Sequence, residues 1–311
     1  MATGIGPRQI LGGKAAALMS IAAVILVAKA LLEGVAVWQL GASGDWARYT
    51  CLQVLHAVYA AVWVLLVLGV SARVRSSSKT SAVLLALWTA STFVAPRIAG
   101  SIGRLVVREP SVEEFRAAIQ HDISTREDGT PWVEQWSKQL IEDTLKSYNV
   151  SRIEDLPVGY AGIMLKGSDA HYEEVFEKHF QQLFELHRTQ ERWHLALSGL
   201  GPTMAARAVS QGVAGTDLAH AEDFSNAAER YRRKFVEATN DAIQKGTKGT
   251  GWDLRVSRAY WESIPAFRYE TPDATWAVRQ HVWELGVLGA WLGLAAGFFV
   301  LSAKRMAETV R

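Results

Sequence analysis

The chain has 311 residues, a formal net charge of +2 and a mean hydropathy of +0.05, averages in which strongly apolar and strongly polar segments cancel. Its 33 Lys and Arg residues are interleaved with 31 Asp and Glu residues, and no basic stripe recurs with aromatic residues, which argues against a nucleic-acid-binding protein. The single cysteine, Cys51, excludes an intrachain disulfide.

Four apolar segments, at 15–40, 51–72, 81–96 and 285–303, are predicted to be membrane-spanning helices. A helix needs about 20 predominantly apolar residues to cross a bilayer, and the second and fourth segments contain no charged residue. In hydrocarbon only helices and closed barrels satisfy their own backbone, and these segments do not alternate in polarity as barrel strands do. The sequence therefore predicts an all-α integral membrane protein with four transmembrane helices and a large helical insert between the third and the fourth.

The short loops predict the orientation of these helices, because Lys and Arg favour the cytoplasmic side. Basic residues occur in the N-terminal segment, in the loop after the second span and in the tail. We therefore expect a cytoplasmic segment at 1–14, three transmembrane helices within 15–104, an extracytoplasmic helical domain at 105–278, a fourth transmembrane helix at 279–303 and a cytoplasmic tail at 304–311. A cleaved signal peptide, with Ala28-Lys29-Ala30 as its cleavage site, is the alternative for the first apolar segment.

Two features inside the spans are candidate functional sites. Lys29 and Glu33 lie four residues apart in the first span, so they share a helix face and can pair. Intramembrane ions usually face a bundle interior or a water path, and this pair is our candidate for a polar path. An ion pair near the outer membrane interface is the alternative.

In the last span, Gly289, Gly293 and Gly297 form two overlapping G-x-x-x-G steps. We expect them to pack against a helix of the same chain, with a homodimer face as the alternative.

The segment 105–278 is predicted to be α-helical. Its predicted helix starts are marked by capping residues or a proline: Ser111–Glu114, Pro131, Ser151–Glu154, Asp169 and Asp217. The glycines and the proline at 199–202 are predicted to end the long amphipathic helix that begins at Asp169. Pro265 and Pro272 then predict an extended return of the chain to the membrane.

The usual catalytic motifs are absent from the sequence, which has no H-E-x-x-H, no G-x-S-x-G and no cysteine cluster. His171, His179 and His187 are eight residues apart, which is not a ligand spacing on one helix. The segment Gly12-Gly13-Lys14-Ala15 is not a phosphate-binding loop, because Arg8 replaces the first glycine and Ala15 replaces the Ser or Thr that binds magnesium. We therefore predict no enzymatic activity, metal site or cofactor in this chain.

Short segments spread over most of the chain carry a resemblance to a known family: 115–119, 162–164, 176–180, 214–220, Phe224, 229–233, 264–269 and 276–277. They resemble an uncharacterised, domain-of-unknown-function family of bacterial permeases that is associated with ATP-binding-cassette transporters of the type-2 exporter class. The run Ala-Gly-Thr-Asp-Leu-Ala-His at 214–220 is fairly specific to that family. The chain resembles the C-terminal two-thirds of its members.

The resemblance implies a permease subunit in the bacterial inner membrane that works with a separate cytoplasmic ATPase, which binds the ATP. It places near that ATPase a set of polar residues predicted to be cytoplasmic: Arg8, Gln9, Lys14, Arg73 and Arg75. The expected partners are this ATPase, a second permease chain or homodimer partner, and the lipid bilayer. Members of the family usually have further spans, so we expect either a fragment or one subunit of a split transporter.

Two other functions stay open from the sequence. The chain could be a membrane-anchored interaction module that transmits ATPase-driven motion to an extracytoplasmic partner without transport. An extracytoplasmic enzyme is the third hypothesis, and it has no motif in its favour.

Overall fold

The computed structural model of the chain describes residues 7–41, 45–74, 76–126 and 128–309. Within these ranges the chain is helical and has no strand, only isolated bridges between Thr125 and Pro131 and between Gly159 and Gly249. The all-α prediction is confirmed. The helices are α1 Pro7–Leu40, α2 Asp45–Arg73, α3 Ser77–Thr89, α4 Ala95–Val106, α5 Val112–Ser124, α6 Trp132–Ser147, α7 Tyr160–Ala196, α8 Pro202–Ala214, α9 Leu218–Gly246, α10 Arg258–Ser263, α11 Ala274–Gln280 and α12 Val282–Thr309.

Four helical segments are long and apolar enough to cross a membrane: Gln9–Leu40, Asp45–Arg73, Ser77–Val106 and Val282–Glu308. They contain the four predicted spans and extend beyond them, and the protein is a membrane protein. The third segment joins α3 to α4 through a π-helical turn at Ala90–Val94. At the end of that turn Ala95 donates its backbone N–H to the carbonyl of Ala90, five residues earlier, so the span continues without a break.

The chain divides into two compact units, which we call the span unit and the insert unit. The span unit consists of Met1–Val107, Arg188–Ala221 and Thr271–Arg311, and the insert unit consists of Arg108–His187 and Glu222–Glu270. Residues 188–221 of the predicted extracytoplasmic domain therefore group with the spans. The long helices α7 and α9 each contribute residues to both units.

The core of the span unit is formed by α2, α12 and the short helix α8. Its buried side chains come from three sets: Leu55, Val62 and Leu66 of α2, Leu288 and Ala295 of α12, and Ala205, Ala206, Val209 and Val213 of α8. The small residues of α8 allow helix backbones to approach closely. Because α8 packs on two candidate spans, we call residues 198–214 the re-entrant segment.

The first span differs from the others because its side chains are largely uncovered. Val24, Leu31 and Leu32 are 69%, 67% and 75% exposed, and α1 packs mainly on α2. In a membrane protein such a surface is covered by lipid tails. This helix therefore presents most of its circumference to the bilayer.

In the insert unit the predicted helix starts hold in part. The capping box at Ser111 and Glu114 is present in α5, and Pro131 precedes α6 as predicted. The start at Asp169 is wrong, because α7 begins at Tyr160. The capping box at 151–154 is also wrong: a single 3-10 turn at Ile153–Asp155 occupies that place without a side-chain cap.

The reason for both errors is a set of tertiary hydrogen bonds that holds the segment before α7 against the end of α9. Gly159 donates its N–H to the carbonyl of Gln244 at 2.9 Å, and Tyr160 donates its own to Gly249 at 2.8 Å. A side chain on Gly159 would collide with Thr247, so glycine is required at this approach. These hydrogen bonds join residues that are far apart in the sequence, and they override the local capping pattern before α7.

Aromatic side chains hold the insert unit together. Trp132 of α6 stacks on His171 of α7 with ring centroids 3.9 Å apart. Phe224 of α9 meets Tyr269 edge to face at 5.0 Å, in the segment that returns to the spans. That segment, from Ile264 to α11, contains no regular helix, and Ile264 and Asp273 at its two ends are extended.

Candidate functional site

The residues predicted to face an ATPase lie near one end of the spans where the structure describes them. Arg75 and the side chain of Arg8 are outside the described residues. Lys14 donates from Nζ to Ser71 Oγ at 2.8 Å, so the first turns of α1 lie beside the C-terminal end of α2. Arg73 is the last residue of α2 and therefore belongs to the same end of the bundle. Gln9 lies in α1 ahead of Lys14.

The predicted pair of Lys29 and Glu33 is confirmed as a contact. Lys29 Nζ lies 2.6 Å from Glu33 Oε2. Gln53 of α2 donates from Nε2 to the same carboxylate oxygen at 2.8 Å, so the pair is a trio that joins α1 to α2. The side chains of Lys29 and Glu33 are 28% and 40% exposed. They are therefore half-buried at a helix interface, and their role in a polar path stays a prediction.

The glycine stripe of α12 packs on no other element among the described residues, which contradicts the expectation of intramolecular packing there. A Cβ placed on Gly289, Gly293 or Gly297 would meet no described atom within 4 Å. The helix instead buries its other side against α2. The glycine in that interface belongs to α2: a Cβ on Gly69 would lie 2.5 Å from Phe298 Cδ1. The face opposite Leu288 thus carries the stripe, and nothing in the described chain covers it.

The sequence did not predict the most concentrated group of buried charge, which we call the buried polar cluster: Arg48, Asp217, His220, His281 and Glu284. The side chains of Asp217, His220 and His281 are 5%, 4% and 5% exposed, and that of Glu284 is 1% exposed. All five belong to the span unit. They come from the first turn of α2, from the junction of α8 with α9, and from the junction of α11 with α12.

The run at 214–220 builds one side of this cluster. Gly215 ends α8 in the left-handed conformation, with φ of +76°, and its N–H bonds back to the last turn of that helix. Asp217 then begins α9 by accepting the backbone N–H of His220 at 3.0 Å, so its predicted capping role is confirmed. On α8, a Cβ at Gly212 would lie 2.0 Å from His281 Nε2. Glycine at that position is therefore what allows the imidazole to reach the junction.

Asp217 bridges the two histidines of the cluster with its two carboxylate oxygens. Oδ1 pairs with His220 Nδ1, and Oδ2 lies 2.9 Å from His281 Nε2. Arg48 donates to the other ring nitrogen of His220, at 3.2 Å, and to the backbone carbonyls of Val213 and Pro272. Because a guanidinium can only donate, Nε2 of His220 is the acceptor and Nδ1 carries the proton. His220 thus links Arg48 to Asp217.

The electrostatics of the cluster favour an imidazolium at His281. Burial by itself would lower the pKa of His281, but the carboxylates of Asp217 and Glu284 outweigh it and raise that pKa to about 9. Burial would raise the pKa of Asp217, and the hydrogen bonds from His281 and His220 hold it well below its usual range instead. On the neighbouring α7, burial and then the charge of Asp217 raise the pKa of Glu191. The cluster therefore holds alternating charges at neutral pH.

One contact of the cluster is incomplete. His281 Nδ1 lies 3.6 Å from Glu284 Oε2, beyond hydrogen-bonding distance, and neither atom has another hydrogen-bond partner. Among the described residues there is no group of three or more His, Cys, Asp and Glu side chains placed to hold a metal ion. This arrangement can fix the first turn of α2 and two helix junctions by charge, and it can hold a proton at His281.

The comparison with known proteins gives one match. Residues 112–270 match the family described as Domain of unknown function (DUF3526), and no curated protein or solved structure shows significant similarity. The matched range includes Asp217 and His220, whereas Arg48, His281 and Glu284 lie outside it. Because the match covers just over half of the chain, the protein belongs to the DUF3526 family, as the resemblance predicted.

Proposed function

We propose that the protein is a permease subunit of an ATP-binding-cassette transporter, an exporter, coupled to a separate cytoplasmic ATPase. The observation that carries this proposal is the trio of Lys29, Glu33 and Gln53, which lies inside two candidate spans. Ionisable groups within spans are costly and usually belong to substrate or ion routes. The resemblance of the chain to exporter-associated permeases supports the same function, and the trio is the first candidate for its polar path.

The proposed topology places both termini in the cytoplasm of a bacterium and the spans in the inner membrane. It places 105–278 outside, except for α8 and the residues just before it, which pack on the spans. It is supported by the basic residues at one end of the bundle, where Lys14 and Arg73 lie close to each other. That end would then receive the ATPase. The uncovered glycine stripe of α12 leaves room for a second permease chain or a homodimer partner.

In this proposal ATP binding by the partner moves the spans as rigid bodies. The buried polar cluster ties the first turn of α2 to the end of α8, to the start of α9 and to the start of α12. A displacement of α2 or α12 at the cytoplasmic end would therefore reach α8 through this charged junction.

The test is co-purification of the chain, expressed from its native locus, in mild detergent, with mass spectrometry of every protein that follows it. A stoichiometric cytoplasmic ATPase is the expected result, and a further membrane chain would identify a split transporter. Arg73→Glu should reduce the recovered ATPase, whereas Arg152→Glu, an exposed charge in the insert unit, is the matched control and should not. If the chain is recovered alone or only with extracytoplasmic proteins, the proposal fails.

The second candidate function is an anchored module that works an extracytoplasmic partner without transport. It is favoured by the compact insert unit, in which Phe176, Phe180 and Phe224 are 39%, 44% and 46% exposed. Deleting most of 105–278 would remove α8 from the span core, so point substitutions are the cleaner test. Phe176→Ser should release an extracytoplasmic partner while the ATPase is retained, and retention of both would contradict this function.

A further inference from the structure

The span unit contains a cavity of about 220 Å³ whose walls are almost wholly apolar. Its walls come from α2 through Trp63 and Leu66, from α12 through Trp291, and from the chain before α8 through Leu200. The π-helical turn Ala90–Val94 and the first turn of α4 complete it. Every wall except the one before α8 therefore belongs to a candidate span.

The fold shapes this cavity by bringing the tip of the re-entrant segment against the π-helical turn. A Cβ on Gly201 would lie 2.5 Å from Ser91 Oγ, so the backbone of the tip touches the third span directly. Ser91 Oγ lies 2.9 Å from Thr203 Oγ1, and Thr203 Oγ1 lies 3.1 Å from the hydroxyl of Tyr59. Thr203 thus bonds to both of the other hydroxyl groups, and the exposed lining of the cavity is almost wholly apolar.

One side of the cavity is continuous with the lipid-facing surface of the spans. At its rim, Val94 and Ile98 are 48% and 47% exposed, and Leu200 is 55% exposed. The rim residues of the third span lie well inside Ser77–Val106, away from the ends of that segment. The opening therefore faces bilayer hydrocarbon, which supplies the apolar chains that are closest at hand.

We propose that this cavity binds one acyl chain of a lipid from the surrounding bilayer. An apolar cavity of about 150 Å³ is already large enough to bind benzene, and this one is larger. An empty cavity forfeits the dispersion contacts of its lining atoms, and a methylene chain that enters from the rim restores them. Acyl-chain binding requires only that the protein lies in a bilayer. It does not depend on whether the protein transports a substrate.

The test uses the full chain in nanodiscs of phosphatidylcholine that contain a small fraction of phosphatidylcholine with a diazirine on its acyl chain. After irradiation, the adducts are mapped by mass spectrometry of peptides. Labelling of 87–98 and 198–202 should saturate as the probe fraction rises, while labelling of the exposed helix α1 should rise in proportion to it. Proportional labelling at both places would overturn the proposal.

A cavity-filling variant gives the second measurement. Ala90→Trp places an indole in the cavity wall and should lower the adducts at 198–202 several-fold. Ala82→Trp is the matched control, because it lies on the same helix, is exposed and is not part of the wall. Unchanged labelling in a folded Ala90→Trp protein, or release of a non-lipid apolar compound from the purified wild type, would refute acyl-chain binding. If the variant does not fold, the saturation measurement on the wild type tests the proposal by itself.

Discussion

Replacing His281 by glutamine tests whether charge holds the buried polar cluster together. Glutamine keeps a hydrogen-bonding side chain of similar length at the junction of α11 and α12, but it cannot carry a positive charge. The carboxylate of Asp217, 2.9 Å from the imidazole, would lose its charged partner. Glu284, 1% exposed, would lose its closest positive group. Asp217 would keep only its hydrogen bonds with His220, and the carboxylate of Glu284 would have no positive group beside it.

The expected loss in the free energy of unfolding follows from the pKa of His281, which the fold raises from 6.5 to about 9. Each pKa unit corresponds to about 1.4 kcal/mol, so the imidazolium contributes about 3 kcal/mol to the free energy of unfolding. That is close to the lower limit of the roughly 3–5 kcal/mol lost when a buried ion pair is broken. Because the pKa is raised in the folded state, this contribution is complete below about pH 6.5 and disappears as the pH rises through about 9.

The assay is thermal unfolding of the detergent-solubilised chain from about pH 6 to about pH 10. The wild-type midpoint should fall between about pH 6.5 and about pH 9, whereas His281→Gln should start several degrees lower and show little of that fall. His121→Gln, an exposed histidine of α5, is the matched control and should follow the wild type. A His281→Gln protein that retains the full wild-type pH dependence would refute the assignment of this charge.

Three further substitutions probe the packing and the charges of the span unit by the same unfolding assay. Gly69→Ala should lower the midpoint, because its Cβ would lie 2.5 Å from an aromatic carbon of α12, while Gly293→Ala, with open space, should not; equal shifts would contradict the described face of α12. Lys29→Met should cost more stability than Lys29→Met combined with Glu33→Leu, because the single change leaves the carboxylate with the neutral amide of Gln53 and no cation; the reverse order would show that the pair is not coupled. Arg48→Lys should lose about 1–3 kcal/mol, because an ammonium cannot reproduce a fork that reaches two backbone carbonyls and an imidazole; wild-type stability would show that the fork does not form.

The spans and most helix starts were predictable because their signals are local. An apolar run of span length needs no knowledge of the rest of the chain. The capping box at Ser111 and Glu114 lies within four residues, and so does the cap that Asp217 provides for α9. The start of α7 is set instead by long-range hydrogen bonds, such as the one that Gly159 donates. The local pattern therefore predicted this helix start too late.

The helix α8 and the buried polar cluster were not predictable in the same way. Residues 202–214 are mostly small and carry no long apolar stripe, and the preceding glycines indicated only the end of a helix. The members of the cluster are far apart in the sequence, so their meeting depends on how α2, α8 and α12 pack. Two signals were available: Asp217 and His220 fall in the run that carries the family resemblance, and His281 and Glu284 flank the start of the last span.

The π-helical turn in the third span has a consequence for insertions and deletions. A π-helical turn holds one residue more than the α-helical turn it replaces, and each residue of an α-helix rotates the chain by about 100°. Removing one residue from Ala90–Val94 would restore the regular pattern and turn all of α4 by that angle. The buried face of Ala95, Ala99 and Gly103 would then rotate away from the re-entrant segment. The number of residues in this turn is therefore constrained, because it determines which face of α4 is buried.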